Sequence, residues 1–389
     1  MPSERIRLAI LGARRGGGII HDCQKTPIEV TAVCDIKAER IQKHREEHPG
    51  FQYFSDYDEM LAADACDAVA IATPPPVHAE QAIKALKAGK HVYTEVIAGL
   101  TVDELWELVR TVEETGLVYT MAEQVNFRRH VLIIKNMIEQ GVFGEVTYAQ
   151  CGYIHDIKRL SVMTDGPGSW RYEWNFNRVG NYYPTHAIGP VSEWFDLGNS
   201  DRMTSLVSMS SQPVSMREYI HSENVPDDHP SKEDERPQTL GDVNKTLIQT
   251  AKGRLIDLWF DVNSNRPIPS TTQFEVQGSK AAWDYDYARH QRIYIKDRTN
   301  GWADFWMYGS EYEHPIWREH LIDWYRNRTG STGRYMLQEF ARSILEGTPP
   351  PIDVYDAADW SVIIPLSEES IRGGNKPVEF PNFREGSKT

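Results

Sequence analysis

The sequence is poor in cysteine. Its 389 residues include only four cysteines, which form neither a C-x-x-C pair nor a zinc-type spacing. Without such pairs a disulfide framework is not expected, and the pattern favours buried free thiols in a reducing compartment. These residues are Cys23, Cys34, Cys66 and Cys151.

Positive charge and long apolar runs are also scarce. Lys and Arg number 42 against 56 Asp and Glu, a formal net charge of −14. This balance argues against nucleic acid or an anionic membrane surface as a partner. No apolar run approaches the roughly 20 residues that span a bilayer, and the first residues lack a signal-peptide pattern. We therefore expect a cytoplasmic protein without nucleic-acid or membrane partners.

The length and the hydrophobic patterns that are present predict two domains. Strands alternate with helices over the first 125 residues, which predicts a doubly wound parallel sheet of the Rossmann type. From about Gly144 strand patterns dominate, over 146–153, 246–262, 274–283 and 291–296. We expect a cofactor-binding domain at 1–125 and an α+β domain at 126–389 with a large, mainly antiparallel open sheet. The charged, proline-rich stretch 222–239 favours a solvated loop, with a lid as the alternative.

A glycine turn follows the first apolar strand. Gly12, Gly16 and Gly17 lie where a pyrophosphate-binding loop meets a helix, although Arg14 occupies the position of the middle glycine. Any tight turn can need glycine, so this turn alone is weak evidence.

Asp35 strengthens the case for a nucleotide cofactor. It ends the second strand, about 20 residues after Gly12, where a carboxylate can accept hydrogen bonds from the adenosine ribose. The alternative is that Asp35 caps the helix starting near Lys37. A carboxylate here favours NAD over NADP. The candidate cofactor-binding residues are Gly12, Arg14, Arg15, Gly16, Gly17, Asp35, Thr73, Pro74, His78, Glu95 and Val96.

The stretch from Gly180 to Pro190 carries the strongest catalytic signal. Tyr183 and His186 are three positions apart, so a helix beginning at Thr185 would place them one turn from each other. A phenol and an imidazole at this spacing can share the transfer of a proton. The alternative is a buried aromatic side chain and a structural histidine that only pack.

Three motifs resemble the Gfo/Idh/MocA oxidoreductase family over essentially the whole chain. They are Thr73-Pro74-Pro75 with His78, the stretch 85–92 leading to Glu95, and the stretch 141–146. The resemblance implies a Rossmann domain, an open antiparallel sheet domain, a nicotinamide cofactor and a dimer or tetramer. It also implies that a C-terminal helix at about 355–372 returns to the Rossmann domain. Two residues depart from the sugar dehydrogenases of the family, because Val96 replaces the catalytic lysine and Tyr182 replaces an aspartate.

A subgroup of that family resembles the chain more closely: the NAD-dependent glycoside hydrolases related to bacterial alpha-N-acetylgalactosaminidase. The shared motifs are Glu95-Val96, Tyr153-Ile154-His155-Asp156 and the stretch 180–186, while the stretch 331–334 departs from the subgroup. The departure leaves the preferred sugar open. The resemblance implies that the following residues line the site: Glu123, Tyr153, His155, Tyr183 and His186. The substrate-binding candidates within or near the stretch from Gly180 to Pro190 are Trp170, Arg171, Asn181 and Tyr182. The aromatic side chains among them are equally compatible with packing in the core.

Three functions are compatible with these residues. The first is redox-neutral glycoside cleavage, in which oxidation at sugar C3 acidifies the C2 proton and allows elimination at C1. The second is a conventional NAD-dependent dehydrogenase of a sugar, sugar acid or inositol. The third is a non-catalytic NAD- or sugar-binding protein, which the loss of the lysine at Val96 keeps open. No ligand spacing around the two site histidines supports a metal, so none is expected there.

Overall fold

The computed structural model describes residues 5–267, 270–286, 288, 290–319 and 332–385. Within those residues the chain forms two compact units. Unit 1 comprises residues 5–124, 332–361 and 383–385, and unit 2 comprises 125–318 and 362–382. Both units are therefore assembled from separate stretches of the chain.

Unit 1 is built on a six-stranded parallel sheet in the order β3-β2-β1-β4-β5-β6. The inner strands are apolar along most of their length because helices can cover both faces of such a sheet, and all four residues of β4 are buried. The elements are β1 (Ile6–Leu11), α1 (Ala13–Asp22), β2 (Ile28–Cys34), α2 (Ala38–Glu47), β3 (Gln52–Phe54), α3 (Tyr57–Ala62), β4 (Ala68–Ile71), α4 (His78–Lys87), β5 (His91–Thr94), α5 (Val102–Thr115) and β6 (Tyr119–Met121), with α10 (Thr332–Glu346) and α11 (Val354–Ser361) from later in the chain.

Local signals fix the helix ends that the sequence predicts. Thr101 and Glu104 form a capping box at the start of α5, and Gly116 ends that helix at a φ of 63°. Both ends of α5 therefore carry a signal that can be read from the sequence.

Unit 2 contains a nine-stranded sheet in the order β14-β13-β12-β11-β7-β10-β9-β8-β15. Strands β7 and β10 pair in parallel and the other neighbours pair antiparallel. The elements are α6 (Arg129–Glu139), β7 (Val146–His155), α7 (Trp170–Asn177), α8 (Thr185–Phe195), β8 (Met203–Ser210), α9 (Ser215–His221), β9 (Val243–Thr250), β10 (Leu255–Asp261), β11 (Ser270–Gly278), β12 (Ala281–Tyr285), β13 (Gln291–Ile295), β14 (Ala303–Asp304), α12 (Ile363–Arg372) and β15 (Val378–Glu379).

The predicted fold class is confirmed, with two refinements. The strand pattern over 246–262 is a hairpin, in which β9 and β10 pair antiparallel across a turn at Gly253. The helical pattern at about 355–372 is two helices, of which α11 packs on α5 and β6 while α12 packs on β8. Helix α11 belongs to unit 1 and α12 to unit 2.

The charged stretch 222–239 is a largely exposed loop, as its composition predicts, and some of its charges are paired. Asp234 accepts a hydrogen bond from the Tyr172 hydroxyl at 3.0 Å, and Arg236 pairs with both Asp234 and Glu173 at 2.7 Å. The Arg236 guanidinium lowers the pKa of Asp234 to about 2. The stretch is held against α7 because its charges pair with charges on that helix.

The four cysteines are free and buried, as predicted. Among the described residues no helix combines the length and the apolar character that crossing a bilayer requires.

Candidate active site

The glycine turn of unit 1 cannot accept a side chain at its first position. Gly12 has a φ of 98°, and a Cβ built there would lie 2.6 Å from the Ala72 carbonyl oxygen. Helix α1 begins at the next residue, so its positive dipole end faces this turn. Gly16 packs directly on Ile10 of β1, where a Cβ would fall 2.2 Å from the Ile10 Cγ2 atom. Because the turn is packed this closely, a pyrophosphate could approach its backbone, although Arg14 occupies the position of the middle glycine.

Asp35 is buried and organises the turn. Its Oδ2 accepts the Ala13 N–H at 2.9 Å and a hydrogen bond from Arg40 at 3.3 Å, while its Oδ1 accepts the Lys37 N–H at 2.8 Å. Among the described residues Oδ1 has only this partner, which leaves acceptor capacity for a ribose hydroxyl. The two sequence interpretations of Asp35 are therefore compatible, because it orders the start of α2 and still presents an acceptor.

The remaining cofactor candidates lie at the carboxyl edge of the same sheet. Thr73 follows β4, Glu95 follows β5 and Glu123 follows β6. Arg15 pairs with Glu95 at 2.8 Å, and Thr73 donates its hydroxyl to Gln81 at 2.6 Å. Val96 and Glu123 are buried. Ligands of open parallel sheets bind at this edge.

His78 connects two of the loops at the carboxyl edge of the sheet by hydrogen bonds. Its Nδ1 lies 2.8 Å from the Ile97 carbonyl oxygen and its Nε2 lies 2.7 Å from the Thr73 carbonyl oxygen. Burial lowers the pKa of His78, although the two carbonyl oxygens oppose that shift. The ring is 1% exposed. His78 therefore acts as a support for the loops and not as a group open to a ligand.

Unit 2 contributes a cluster of phenol and imidazole side chains. Tyr153 and His155 are two residues apart on β7 and so point to the same face of the sheet. The Tyr153 hydroxyl lies 2.7 Å from His155 Nδ1. This hydrogen bond allows a proton to pass between the two side chains.

The stretch from Gly180 to Pro190 supplies the other two side chains of the cluster. Helix α8 begins at Thr185, which places Tyr183 and His186 one turn apart as predicted. The Tyr153 ring centroid is 5.4 Å from that of Tyr183 and 5.4 Å from that of His186, which are themselves 5.2 Å apart. The structure therefore brings together Tyr153, His155, Tyr183 and His186.

Gly180 and Asn181 anchor this motif to α12. A Cβ at Gly180 would lie 2.4 Å from Ser367 Oγ and 2.9 Å from the Glu368 nitrogen, so only glycine allows the approach. The Asn181 backbone N–H donates to Ser367 Oγ at 3.0 Å, and the Asn181 side-chain oxygen accepts the Tyr183 N–H at 3.0 Å. Asn181 thus holds Tyr183 in place from a buried position.

The aromatic candidates divide into two groups. Trp170 stacks on Tyr183, with ring centroids 6.3 Å apart and an interplanar angle of 20°. Arg171 lies over the Trp170 ring at 4.2 Å and pairs with buried Asp165 at 2.8 Å. Tyr182 is 1% exposed and packs among Trp174 and Phe260, so it contributes to the core behind the cluster.

The electrostatic surroundings favour a neutral His155. Burial lowers the pKa of His155, and the Arg171 guanidinium and the neighbouring His186 ring lower it further, while Asp156 raises it. A neutral imidazole can accept a proton, which is the state that a general base requires. Burial also raises the pKa of the Tyr182 hydroxyl.

Sequence reasoning did not find four residues that support these side chains. Phe260 stacks on Tyr153, and its position in the alternating pattern of β10 was the only signal for it. Arg40 pairs with Asp35 and Asp165 pairs with Arg171, contacts between residues whose sequence spacing shows no pattern. Lys158 is buried and pairs with Asp156 at 2.9 Å.

The parallel sheet with its glycine turn is typical of a Rossmann-fold, nucleotide-binding unit, and the tyrosine–histidine cluster lies in the second unit. Residues 6–123 match the oxidoreductase family with an NAD-binding Rossmann fold, and residues 127–389 match the C-terminal domain of glycosyl hydrolase 109. The chain belongs to glycosyl hydrolase family 109, with the Gfo/Idh/MocA NAD-binding domain at its N-terminus.

Curated relatives support this family assignment, and solved structures share the fold. The chain is 34% identical to a glycosyl hydrolase family 109 protein of Solibacter usitatus, with 99% of this chain and 90% of that protein covered. It is 33% identical to one of Saccharopolyspora erythraea, with 98% and 84% covered. Levoglucosan dehydrogenase in complex with NADH has a similar fold, with a TM-score of 0.75, 18% identity and 97% and 100% of the two chains covered. Scyllo-inositol dehydrogenase from Lactobacillus casei has a TM-score of 0.67 at 16% identity, with 97% and 99% covered.

These findings confirm the predicted family, the two-domain fold class and NAD as the cofactor. The protein is an NAD-dependent enzyme of the Gfo/Idh/MocA family. The residues that would hold NAD are those of the Gly12 turn, Asp35 and the ends of β4 and β5. Of the stretch 331–334 that departs from the subgroup, Ser331 lies outside the described residues.

Proposed function

We propose that this enzyme cleaves a glycoside by a redox-neutral route that begins with oxidation at sugar C3. The observation that carries the proposal is the cluster of Tyr153, His155, Tyr183 and His186, combined with Val96 at the position of the dehydrogenase lysine. The family 109 relatives support it, because they are named as glycosyl hydrolases.

NAD bound at the Rossmann unit would supply the oxidation at C3 and the closing reduction. The side chains must manage the protons. The pair of His186 and Tyr183 manages the protons on the C3 hydroxyl and on C2, and His186 accepts the hydroxyl proton as the ketone forms. The ketone acidifies the C2 proton, so a group of ordinary basicity can remove it. This route does not use the paired carboxylates of ordinary glycosidases.

The hydrogen-bonded pair of Tyr153 and His155 acts on the leaving group. When the C2 proton is removed, the enolate expels the C1 substituent, whose oxygen needs a proton as the bond breaks. The Tyr153 hydroxyl, held by its 2.7 Å hydrogen bond to His155, donates that proton, and the resulting phenolate takes a proton back from the water that adds at C1. Water then adds at C1, C2 regains a proton and the C3 carbonyl is reduced, so no net redox change remains.

Trp170 and Arg171 bind the sugar beside this cluster. The Trp170 ring is stacked near Tyr183 and offers an apolar surface for the C–H face of a sugar. Asn181 contributes by holding Tyr183. A small-molecule carbohydrate is the proposed partner.

The experiment that tests the proposal follows two products at once. The purified enzyme is incubated with a panel of nitrophenyl glycosides, with and without added NAD, while nitrophenol and NADH are recorded. Release of nitrophenol without net NADH, together with exchange of the C2 proton for solvent deuterium, is the expected result. Accumulation of NADH with a keto-sugar would instead identify a conventional dehydrogenase. A protein that binds NAD and sugar, yet yields neither product, would be a non-catalytic binder.

We further propose a homo-oligomer that works in the cytoplasm. One face of the unit 2 sheet leaves four large apolar side chains exposed: Met209, Leu247, Leu255 and Tyr294. The first three lie on the neighbouring strands β8, β9 and β10, and exposed apolar side chains on adjacent strands favour self-association. The four free cysteines support a reducing compartment.

A further inference from the structure

Three potential metal ligands share one face at the end of α2. His44, Glu47 and His48 have the spacing i, i+3 and i+4, which aligns side chains along a helix. One donor atom from each lies within 4.8 Å of the other two. In the part of the chain that the structure describes, no other group of three His, Cys, Asp or Glu side chains has donor atoms this close together.

The hydrogen bonding of the His44 ring leaves Nδ1 as the nitrogen that can bind a metal. Its Nε2 lies 2.9 Å from the Ala13 carbonyl oxygen, which can only accept, so Nε2 carries the hydrogen and Nδ1 carries a lone pair. Nδ1 is buried and has no hydrogen-bond partner among the described residues, and His44 as a whole is 7% exposed. A buried acceptor without a partner is costly. Metal-ligating histidines commonly have this arrangement, with the second nitrogen donating to a backbone carbonyl.

We propose that His44 Nδ1, the Glu47 carboxylate and a ring nitrogen of His48 bind a divalent transition-metal ion such as Zn²⁺. Two imidazoles and a carboxylate form a ligand set that zinc accepts, with water as the fourth ligand. The site lies at the C-terminal end of the helix, where the helix dipole is negative and favours a cation.

Closing the site requires only the outer two ligands to move. Zinc–nitrogen bonds of about 2.0–2.1 Å draw the donor atoms closer together than they are here. Glu47 is exposed and His48 is partly exposed, so both side chains can rotate towards the buried His44 ring. The His48 ring now stacks near His44, with centroids 6.3 Å apart.

The metal site is connected to the cofactor turn through one residue. Ala13 accepts the His44 hydrogen bond with its carbonyl oxygen and donates its N–H to Asp35 at 2.9 Å. It is also the first residue of α1, directly after Gly12. A metal that fixes the His44 ring therefore steadies the turn on which NAD binds, whatever sugar the enzyme uses.

The test is zinc binding by the full-length protein, prepared without a polyhistidine tag and stripped with a chelator. Calorimetric titration with Zn²⁺ is expected to show one ion per chain. Glu47→Gln and His48→Gln should each weaken this binding by at least about tenfold, the lower end of the loss seen when a supporting residue of a metal site is removed. Zinc should also raise the thermal unfolding midpoint of the parent but not of these variants.

Matched controls separate this site from adventitious binding. Glu46→Gln makes the same change one residue away, at a side chain that bonds to Gln42, and should bind zinc as the parent does. His221→Gln removes an exposed histidine elsewhere and should also have no effect. Absence of one-to-one binding in the parent would overturn the proposal. Equal affinity in Glu47→Gln, His48→Gln and the controls would do so as well.

Discussion

At the scale of single residues, chemistry depends on which proton carriers are in contact. Tyr153, Tyr183 and His186 form a triangle of rings, with centroids between 5.2 and 5.4 Å apart. His155 extends the triangle through its hydrogen bond to Tyr153. Because two phenols and two imidazoles adjoin, each proton released in one step can be held until a later step needs it.

Removing the proton-carrying group of either His186 or Tyr183 should abolish most of the activity. His186→Ala and Tyr183→Phe are expected to reduce kcat by about 10²–10⁴-fold, the usual contribution of a general acid or base. NAD affinity should be unchanged, because neither side chain belongs to the Rossmann unit. Steady-state kinetics and cofactor titration measure the two quantities. Tyr219→Phe, at a phenol outside the cluster, is the control and should retain full activity.

The charge of Arg171 should set the proton affinity of His155. Burial first, then Arg171 and His186, lowers the pKa of His155 below its ordinary value. Removing the cation in Arg171→Met favours the protonated ring, so the pKa should rise, as NMR titration can show. The acidic limb of the rate profile should move to higher pH with it. Arg202→Met, at an exposed arginine, should leave both unchanged, and an unmoved His155 pKa in Arg171→Met would contradict this account.

The lowered pKa of His155 also makes the stability of the protein depend on pH. A histidine whose folded pKa is lowered binds fewer protons in the folded than in the unfolded state. Its contribution to stability is present above the unfolded pKa of about 6.5 and is lost as the pH falls below it towards the folded pKa.

At the scale of elements, the catalytic motif depends on a helix far away in the sequence. Gly180 lets α12 approach so closely that Ser367 can accept the Asn181 N–H. The position of Tyr183 at the start of α8 therefore depends on residues that come almost two hundred positions later.

Gly180→Ala should disturb this contact. The added Cβ would meet Ser367 Oγ at 2.4 Å and the Glu368 nitrogen at 2.9 Å, so the backbone must shift. Overpacking of this kind costs roughly 1–3 kcal/mol of unfolding free energy, and activity should fall as Tyr183 moves. Denaturant unfolding and kinetics measure both effects. Gly50→Ala is the control, since no atom lies within 4 Å of a Cβ at that position.

Local sequence signals predicted most of the helices and strands. They could not predict contacts between residues that are far apart in the sequence. The range of α5 was readable because Thr101, Glu104 and Gly116 mark its ends. The spacing of Tyr183 and His186 was readable because helix geometry is periodic. By contrast, the packing of Ser367 on Gly180 depends on tertiary approach. Composition predicted the exposed loop at 222–239 but not which of its charges find partners.

At the scale of the whole molecule, the outward face of the nine-stranded sheet is the feature to test. Leu247 is 47% exposed on β9, a strand in the interior of that sheet. A large apolar side chain in this position favours burial against a second copy of the chain.

Leu247→Arg should convert the oligomer to monomers. A buried, unpaired guanidinium at an interface is unfavourable, so association should weaken by several orders of magnitude. Light scattering coupled to size-exclusion chromatography measures the mass. The matched control is Leu345→Arg, which places the same charge at a similarly exposed leucine of unit 1. A parent protein that is monomeric, or equal dissociation in both variants, would contradict the proposed interface.

The interleaving of the two units determines when each can fold during synthesis. The Phe383 ring packs on Trp106 of α5, with centroids 4.7 Å apart, and Arg384 pairs with Asp356 and Asp359. Helix α12, which supports the stretch beginning at Gly180, is made after the rest of the helices of unit 2. Domains of many proteins fold one after the other as they emerge. Here neither unit has its full set of residues until residues 362–385 have been made, so a chain that stops before them would release two incomplete units and not one finished domain.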